Sequence, residues 1–170
     1  MPTLQETVNF CRKAHQNQKD KIGVDYFHHP ISVADLLPSW VPKFEFQAAL
    51  LHDVVEDTSY TLKDLEDLGY VKETLDIVEL LTDTNINANY YSYIDDIVQS
   101  GNIGALRVKL ADNIHNCRPD RVAKLPVLSQ AITSRYGVVR KTMLIKLEKM
   151  VDVDFYYFES LCNDLGISTI

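Results

Sequence analysis

A chain of 170 residues, 46% apolar and 24% charged, has room for one sizeable core and the composition of an ordinary water-exposed globular protein. Its formal charge of −7 argues against a general nucleic-acid binder, and with no uninterrupted apolar run of about 18 residues and no basic-then-apolar leader, neither a membrane span nor secretion is expected. The three cysteines, Cys11, Cys117 and Cys162, are odd in number and far apart, as expected of reduced thiols in the cytoplasm and not of a disulfide frame or a zinc site.

In chain order, apolar spacing predicts helices throughout, an all-α domain over residues 1–170. Leu4 to Asn17 places Leu4, Val8, Cys11 and Ala14 on one face, with Thr3 as N-cap. Gln18 to His29 is polar, contains one glycine and reads as a loop. Pro30 suits the first turn of a helix reaching Leu37, and Pro38 and Pro42 mark another loop. Phe44 to Val55 reads as one unbroken helix. Thr61-Leu62-Lys63-Asp64 is a capping pattern that opens a short helix closed near Gly69. Val71 to Leu81 is amphipathic; Tyr90 to Ser100 is stopped by Gly101; Ile103 to Cys117 carries the stripe Leu106, Leu110 and Ile114. Leu125 to Met150 forms one long helix or two, and Val153 to Leu165 ends at Gly166. No stretch alternates as a strand does, and no repeat or interdomain linker is visible.

Charge is unevenly spread. Residues 52–100 hold 12 acids and 2 bases, whereas 107–149 hold 10 bases and 3 acids. Most of these groups belong to solvated helix faces. The acidic part nevertheless contains the densest chemistry in the chain, His52-Asp53-Val54-Val55-Glu56-Asp57-Thr58. On an unbroken helix His52 would lie near Glu56, and Asp53 near Asp57. Three carboxylates and an imidazole beside an apolar stripe crowd together at a cost that a divalent cation removes. The same cation would activate a water for hydrolysis.

Two further motifs extend this cluster. In Lys109-Leu110-Ala111-Asp112-Asn113-Ile114-His115-Asn116, the residues Asp112, His115 and Asn116 share one helical face, flanked by Arg107 and Arg118. A buried Asp alone can be satisfied by an arginine or a helix N-terminus; beside the His-Asp doublet it becomes a candidate ligand. His28-His29-Pro30 supplies one more imidazole, and spacing does not choose between the two histidines. Two imidazoles and two carboxylates suit Mn²⁺, Fe²⁺ or Zn²⁺.

The ordered set His29-Pro30, His52-Asp53-Val54-Val55-Glu56-Asp57-Thr58 and Lys109-Leu110-Ala111-Asp112-x-x-His115-Asn116 resembles the HD-domain hydrolases of the RelA/SpoT type. With Ala14-His15-x-x-Gln18, Tyr26-x-x-His29-Pro30, Ala48-Ala49-Leu50-Leu51 and Leu80-Leu81-Thr82, it is similar in particular to the small stand-alone alarmone hydrolases, which remove the 3′-pyrophosphate of (p)ppGpp. The likeness runs from Ala14 to Arg118 and is loose beyond Asp120. It implies a single-domain HD helical bundle acting on a nucleotide without synthesising one. It implies His29, His52, Asp53 and Asp112 as metal ligands, usually for Mn²⁺, and Glu56 and Asp57 as the pair that activates or orients water. It places Asn116, Lys21 and Tyr26 against substrate and makes His115 a packing position. Lys19, Lys109 and Arg118 are expected to add substrate contacts, with Arg135 and Arg140 behind them.

The loop before His29 departs from the family pattern. The loop after the glutamine usually carries Arg-Lys before glycine; here Asp20 stands at the arginine position and Lys21 at the lysine, with Lys19 beside them. Asp25 stands where proline is common. Lysine does not reproduce the planar stacking and forked bonding of arginine. The expected activity, implied by the resemblance, is Mn²⁺-dependent removal of the 3′-pyrophosphate from guanosine alarmones, with the Asp20 departure favouring a different nucleotide. Its rivals are an HD phosphohydrolase for another nucleotide, such as an adenine alarmone, and a non-catalytic antitoxin-like binding module. Tyr90, Tyr91 and Tyr93 read as core and interface, Trp40 as a loop anchor, and Phe155-Tyr156-Tyr157-Phe158 as a hint of a homodimer.

Overall fold

Helix periodicity governs the whole chain. The computed structural model describes residues 1–83, 89–127 and 133–169, without the side chains of 133 and 134. The elements are α1 (Leu4–Ala14), α2 (His28–Asp35), α3 (Lys43–Leu51), α4 (Val54–Asp57), α5 (Leu62–Asp67) and α6 (Lys72–Leu81). They continue with α7 (Tyr90–Ser100), α8 (Ile103–Cys117), α9 (Pro119–Val122), α10 (Thr133–Met150) and α11 (Asp152–Asp164). Among the described residues there is no strand, only an antiparallel bridge between Lys19 and Asp25. None of their helices is long and apolar enough to cross a membrane.

The strongest local signals set their boundaries as expected. Thr3 forms a reciprocal capping box with Glu6, and Thr61 forms one with Asp64. Gly101 ends α7 in the left-handed region at φ 72°. The ends of α7 and α8 match the sequence reading. Four expectations need correction. The first helix stops at Ala14, because Asn17 takes a left-handed φ of 68° and the chain turns. The second starts at His28; Pro30 is then its third residue, where its missing N–H costs nothing. The helix expected over Phe44–Val55 breaks between Leu51 and Val54, into α3 and α4. Pro119–Val122 forms a short helix not expected from periodicity. Of the segment Leu125–Met150, residues 128–132 lie outside the described residues, and a helix occupies Thr133–Met150.

Two helices organise the core. α8 buries the stripe Leu106, Leu110 and Ile114, together with Val108 and Ala111, and packs on α2, α3, α6, α7, α9 and α10. α3 packs on α1, α2, α6 and α8. Gly104 lets α8 come close to its neighbours: a Cβ there would lie 2.6 Å from Ile77 Cδ1 and 3.2 Å from Glu45 Cγ. Arg107 then ties three elements together, reaching Glu45 at 2.8 Å and Asp154 at 2.7 Å. Removing that guanidinium would strand two buried carboxylates, a loss of about 3–5 kcal/mol. Trp40 is half exposed; its Nε1 donates to Asp154 and its ring packs edge-on against Tyr157. Tyr93 is buried and donates its hydroxyl to the Leu81 carbonyl, the core role expected of it.

Candidate metal centre

The break between α3 and α4 positions the first imidazole. His52 Nδ1 lies 2.8 Å from the carbonyl oxygen of Ala49. A carbonyl only accepts, so Nδ1 carries the proton and Nε2 points inward. That Nε2 is buried without a well-formed hydrogen bond and lies 3.1 Å from Asp53 Oδ2. The face-sharing expected of an unbroken helix is thereby replaced. His52 turns into the core, while Glu56 and Asp57 keep access to solvent and line a cavity whose walls partly desolvate Glu56.

The second imidazole comes from α2. His29 Nε2 stands 3.5 Å from Asp53 Oδ2 and 3.2 Å from Asp112 Oδ1. His28 is exposed and stacks on Phe27, so the fold separates the two adjacent histidines. His29 Nδ1 meets His115 Nδ1 at 2.7 Å in the interior. In the tautomer where His29 donates that bond, its Nε2 presents a lone pair to the cluster. His115 thus does more than pack: it orients His29. Tyr26 donates its hydroxyl to Asp53 Oδ2 at 2.7 Å, and Asn116 donates to Asp112 Oδ1 at 2.6 Å. Lys109 Nζ is 3.1 Å from Asp112 Oδ2.

The donor set fits a cation. Ligand atoms of His29, His52 and Asp53 lie within 4.8 Å of one another, and Asp112 adjoins them through His29. A neutral His52 aims a lone pair at the carboxylate of Asp53, which is repulsive unless a positive charge lies between them. A divalent metal supplies that charge, and a proton on Nε2 does so without one. Burial opposes the imidazolium, yet the Asp53 carboxylate outweighs it and pushes the His52 pKa up to about 9. Burial raises Asp53 and Asp112, but His52 acting on Asp53, and Lys109 with His29 acting on Asp112, hold both below the usual carboxylate range. Burial, with His29 beside it, drives His115 down to about 3, so it is neutral at neutral pH. Burial and then Asp53 raise the Tyr26 phenol, which stays a donor.

A cavity of about 410 Å³ opens over the cluster, with Lys21, Tyr26, Glu56, Asp57, Asn116 and Arg121 among its walls. Glu56 Oε2 accepts the backbone N–H of Asp83 at 3.1 Å. Burial raises the Glu56 pKa, the Asp83 N–H works against that, and the Asp53 charge adds to the rise. Asp57 accepts from Gln18 Nε2 at 3.3 Å, while Gln18 Oε1 accepts from Nδ1 of the buried His15 at 2.8 Å. His15 therefore fixes which way the Gln18 amide points.

The expected substrate contacts fare unequally. Lys21 and Tyr26 line the cavity, as does Asn116, although its amide is committed to Asp112. Lys19 is paired with Asp25 across the loop. Lys109 is largely buried against Asp112 and Tyr93, where it is a charge partner of Asp112. Arg118 pairs with Asp120 and faces a separate depression. Arg135 stacks over Tyr90. Arg140 is buried, donating to Asn113 Oδ1 and the Ser168 carbonyl, so it clamps the C-terminal segment and faces no anion site. Asp20 accepts from the N–H groups of Ile22 and Val24 and pairs with Arg121 at 2.7 Å. Sequence reasoning missed Arg121 altogether. It left Gln18 without a role, although the His15-x-x-Gln18 spacing was visible.

Residues 7–130 match the family described as HD domain. The chain belongs to the HD-domain family. This HD-domain chain is 38% identical over 122 residues to the zebrafish (Danio rerio) guanosine-3′,5′-bis(diphosphate) 3′-pyrophosphohydrolase, covering 68% of this chain and 67% of that protein. The mouse (Mus musculus) protein of the same description is 36% identical over 122 residues, 68% of each chain. The bifunctional (p)ppGpp synthase/hydrolase SpoT of Escherichia coli K12 is 33% identical over 126 residues, 68% of this chain but 18% of that protein. A solved structure described as a metazoan ortholog of SpoT that hydrolyses ppGpp superposes with a TM-score of 0.77, at 24% identity and over 99% of both chains. That likeness establishes the all-α HD-domain fold. The matched residues include the whole His/Asp cluster together with Glu56 and Asp57, while α10 and α11 lie beyond them.

Proposed function

We propose that this chain is a metal-dependent hydrolase that removes the 3′-pyrophosphate from guanosine (p)ppGpp-type alarmones, leaving GDP or GTP. The carrying observation is the buried, inward-turned Nε2 of His52, set against Asp53 beside His29 Nε2 and Asp112. The names of the zebrafish and mouse relatives support the substrate class. In our reading His29, His52, Asp53 and Asp112 hold Mn²⁺; Fe²⁺ and Zn²⁺ are compatible with the same donors. The cation supplies charge that acidifies a water molecule and offsets the negative phosphoryl oxygens.

The remaining steps belong to the protein. Glu56, its pKa raised by burial, takes the proton from the water as general base. Asp57, held by Gln18, orients that water. The water oxygen bonds to the phosphorus carried on O3′, the P–O3′ bond breaks, the ribose oxygen takes up the proton that Glu56 removed from the water, and pyrophosphate departs. Tyr26 holds Asp53 in place through its hydroxyl. Lys21, exposed on the cavity wall, meets the anionic substrate. The free cysteines suit a reducing cytoplasm.

A second reading keeps this chemistry and changes the base. Asp20 favours it: bound to Arg121 and two backbone N–H groups, its carboxylate offers a base no planar cation to stack on. The test is product analysis with Mn²⁺ and ppGpp beside its adenine counterpart, with Asp53→Ala as control. GDP plus pyrophosphate, lost in the variant, supports the guanosine reading. Turnover of the adenine nucleotide alone reassigns the base. No metal-dependent turnover of either overturns the hydrolase and leaves a binding module.

A further inference from the structure

A smaller depression of about 170 Å³ adjoins the cavity, and Arg121 and Asp20 line both. Its other charged residues are Arg118, Lys124 and Asp120. The two acids are already engaged. Asp20 pairs with Arg121 at 2.7 Å and accepts from Ile22 N at 3.0 Å and Val24 N at 2.9 Å; Asp120 pairs with Arg118 at 3.1 Å. With Arg118, Arg121 and Lys124 against Asp20 and Asp120, the depression is the electropositive neighbour of an electronegative cavity, where Asp20, Asp53, Glu56, Asp57 and Asp112 outnumber the cations Lys19, Lys21 and Arg121.

A nucleotide with phosphates on both the 3′ and 5′ oxygens must place two anionic groups here. One meets the metal cluster. The other has no metal to offset the acidic wall; Lys19 is paired with Asp25, and beyond Lys21 the adjoining cations are those of the depression. Arg121 is suited to the boundary between them. Its side chain is 14% exposed, and it is held through Nη1 by a carboxylate that the backbone itself fixes, so its planar fork is set before any ligand arrives. We propose that this depression is a second anion subsite that takes the 5′-phosphates of the nucleotide, with Arg121 as the fixed cation between the two compartments and Arg118 and Lys124 as the outer contacts. The inference rests on the nucleotide reading above.

The test is a substrate series: guanosine 3′-pyrophosphates with no, one, two or three phosphates at the 5′ position, turned over by the Mn²⁺-loaded protein and by an Arg118→Ala/Lys124→Ala double variant. Wild-type KM should fall as 5′-phosphates are added. In the double variant the KM advantage of the 5′-diphosphate over the bare 5′-hydroxyl should shrink by about tenfold or more, the scale of one lost charge-assisted contact. A wild-type KM indifferent to 5′-phosphates, or an equal change across the series, would overturn the subsite. If no member of the series is turned over, the guanosine reading fails. Calorimetric titration of the metal-free protein with inorganic tripolyphosphate then decides the subsite separately. Binding weakened about tenfold by the double substitution supports it, and unchanged binding overturns it.

Discussion

The inner wall of the cavity is tied to the hydrophobic core, whereas the outer wall is tied mainly to itself. His29, Asp112 and the His52–Asp53 junction sit on or beside helices that also carry the buried Val33, Leu50, Leu51, Leu110 and Ile114. Displacing any of these groups means displacing close-packed interior. The loop after α1 is held by turns instead, with Asp20 N to Val24 O and Tyr26 N to Gln18 O both at 2.9 Å. Its long-range tie at Asp20 is the ion pair with Arg121, 101 residues away in sequence. Chemistry built on the first wall is hard to alter piecemeal; recognition built on the second changes when two side chains change together. An aspartate where the family loop usually carries arginine is thus accommodated by one guanidinium arriving from α9.

This contrast can be broken or sharpened by experiment. Asp53→Ala or Asp112→Ala should have the largest effect, abolishing bound metal and lowering turnover by at least about 10³-fold, a loss on the scale of a principal electrostatic contributor. Metal content and rate should fall together, and a stoichiometric metal in either variant would remove that residue from the ligand set. Glu56→Gln should leave metal content intact while kcat drops by about 10²–10⁴-fold. Full activity in that variant would end its role as base. His115→Phe should weaken metal affinity by about 10–100-fold, because His29 loses the partner that orients it, with rate recovering at saturating metal. An unchanged affinity would return His115 to simple packing.

The pH dependence follows from His52. Its folded pKa is raised from 6.5 to about 9, so its stabilising contribution to the metal-free fold is complete below about 6.5 and is lost as pH rises through 9. A metal must replace that proton. Affinity should therefore rise about tenfold per pH unit across this window and level off above it, while added metal should restore the thermal stability lost at high pH. A flat affinity profile would show that Nε2 is not a ligand. The smallest effect belongs to the outer wall. Asp20→Asn keeps an acceptor for Ile22 and Val24 but drops the charge facing Arg121, and KM should rise about three- to tenfold at constant kcat. A kcat loss matching that of Glu56→Gln would show that the two walls are not independent.

The sequence by itself determined the all-α class, the ends of α7 and α8, and the order of the candidate metal-binding motifs. These rest on signals local in the chain: a glycine that adopts positive φ after Ser100, a 3.6-residue stripe through Leu106, Leu110 and Ile114, and imidazoles and carboxylates only a few residues apart. Tertiary structure decided the rest. Apolar periodicity runs uninterrupted from Ala48 to Val55, so nothing local announced the break; the Ala49 carbonyl holding His52 and the Tyr26 hydroxyl holding Asp53 become visible only once loop and helices meet. Spacing could not separate His28 from His29, since the choice depends on which of them faces Asp112 on α8. Cations were countable in advance, but their tasks were not. Lys109 serves Asp112, Arg140 serves Asn113 and Ser168, and Arg121 serves Asp20, because the long side chain of a Lys or Arg takes its role from the partner that packing brings within reach.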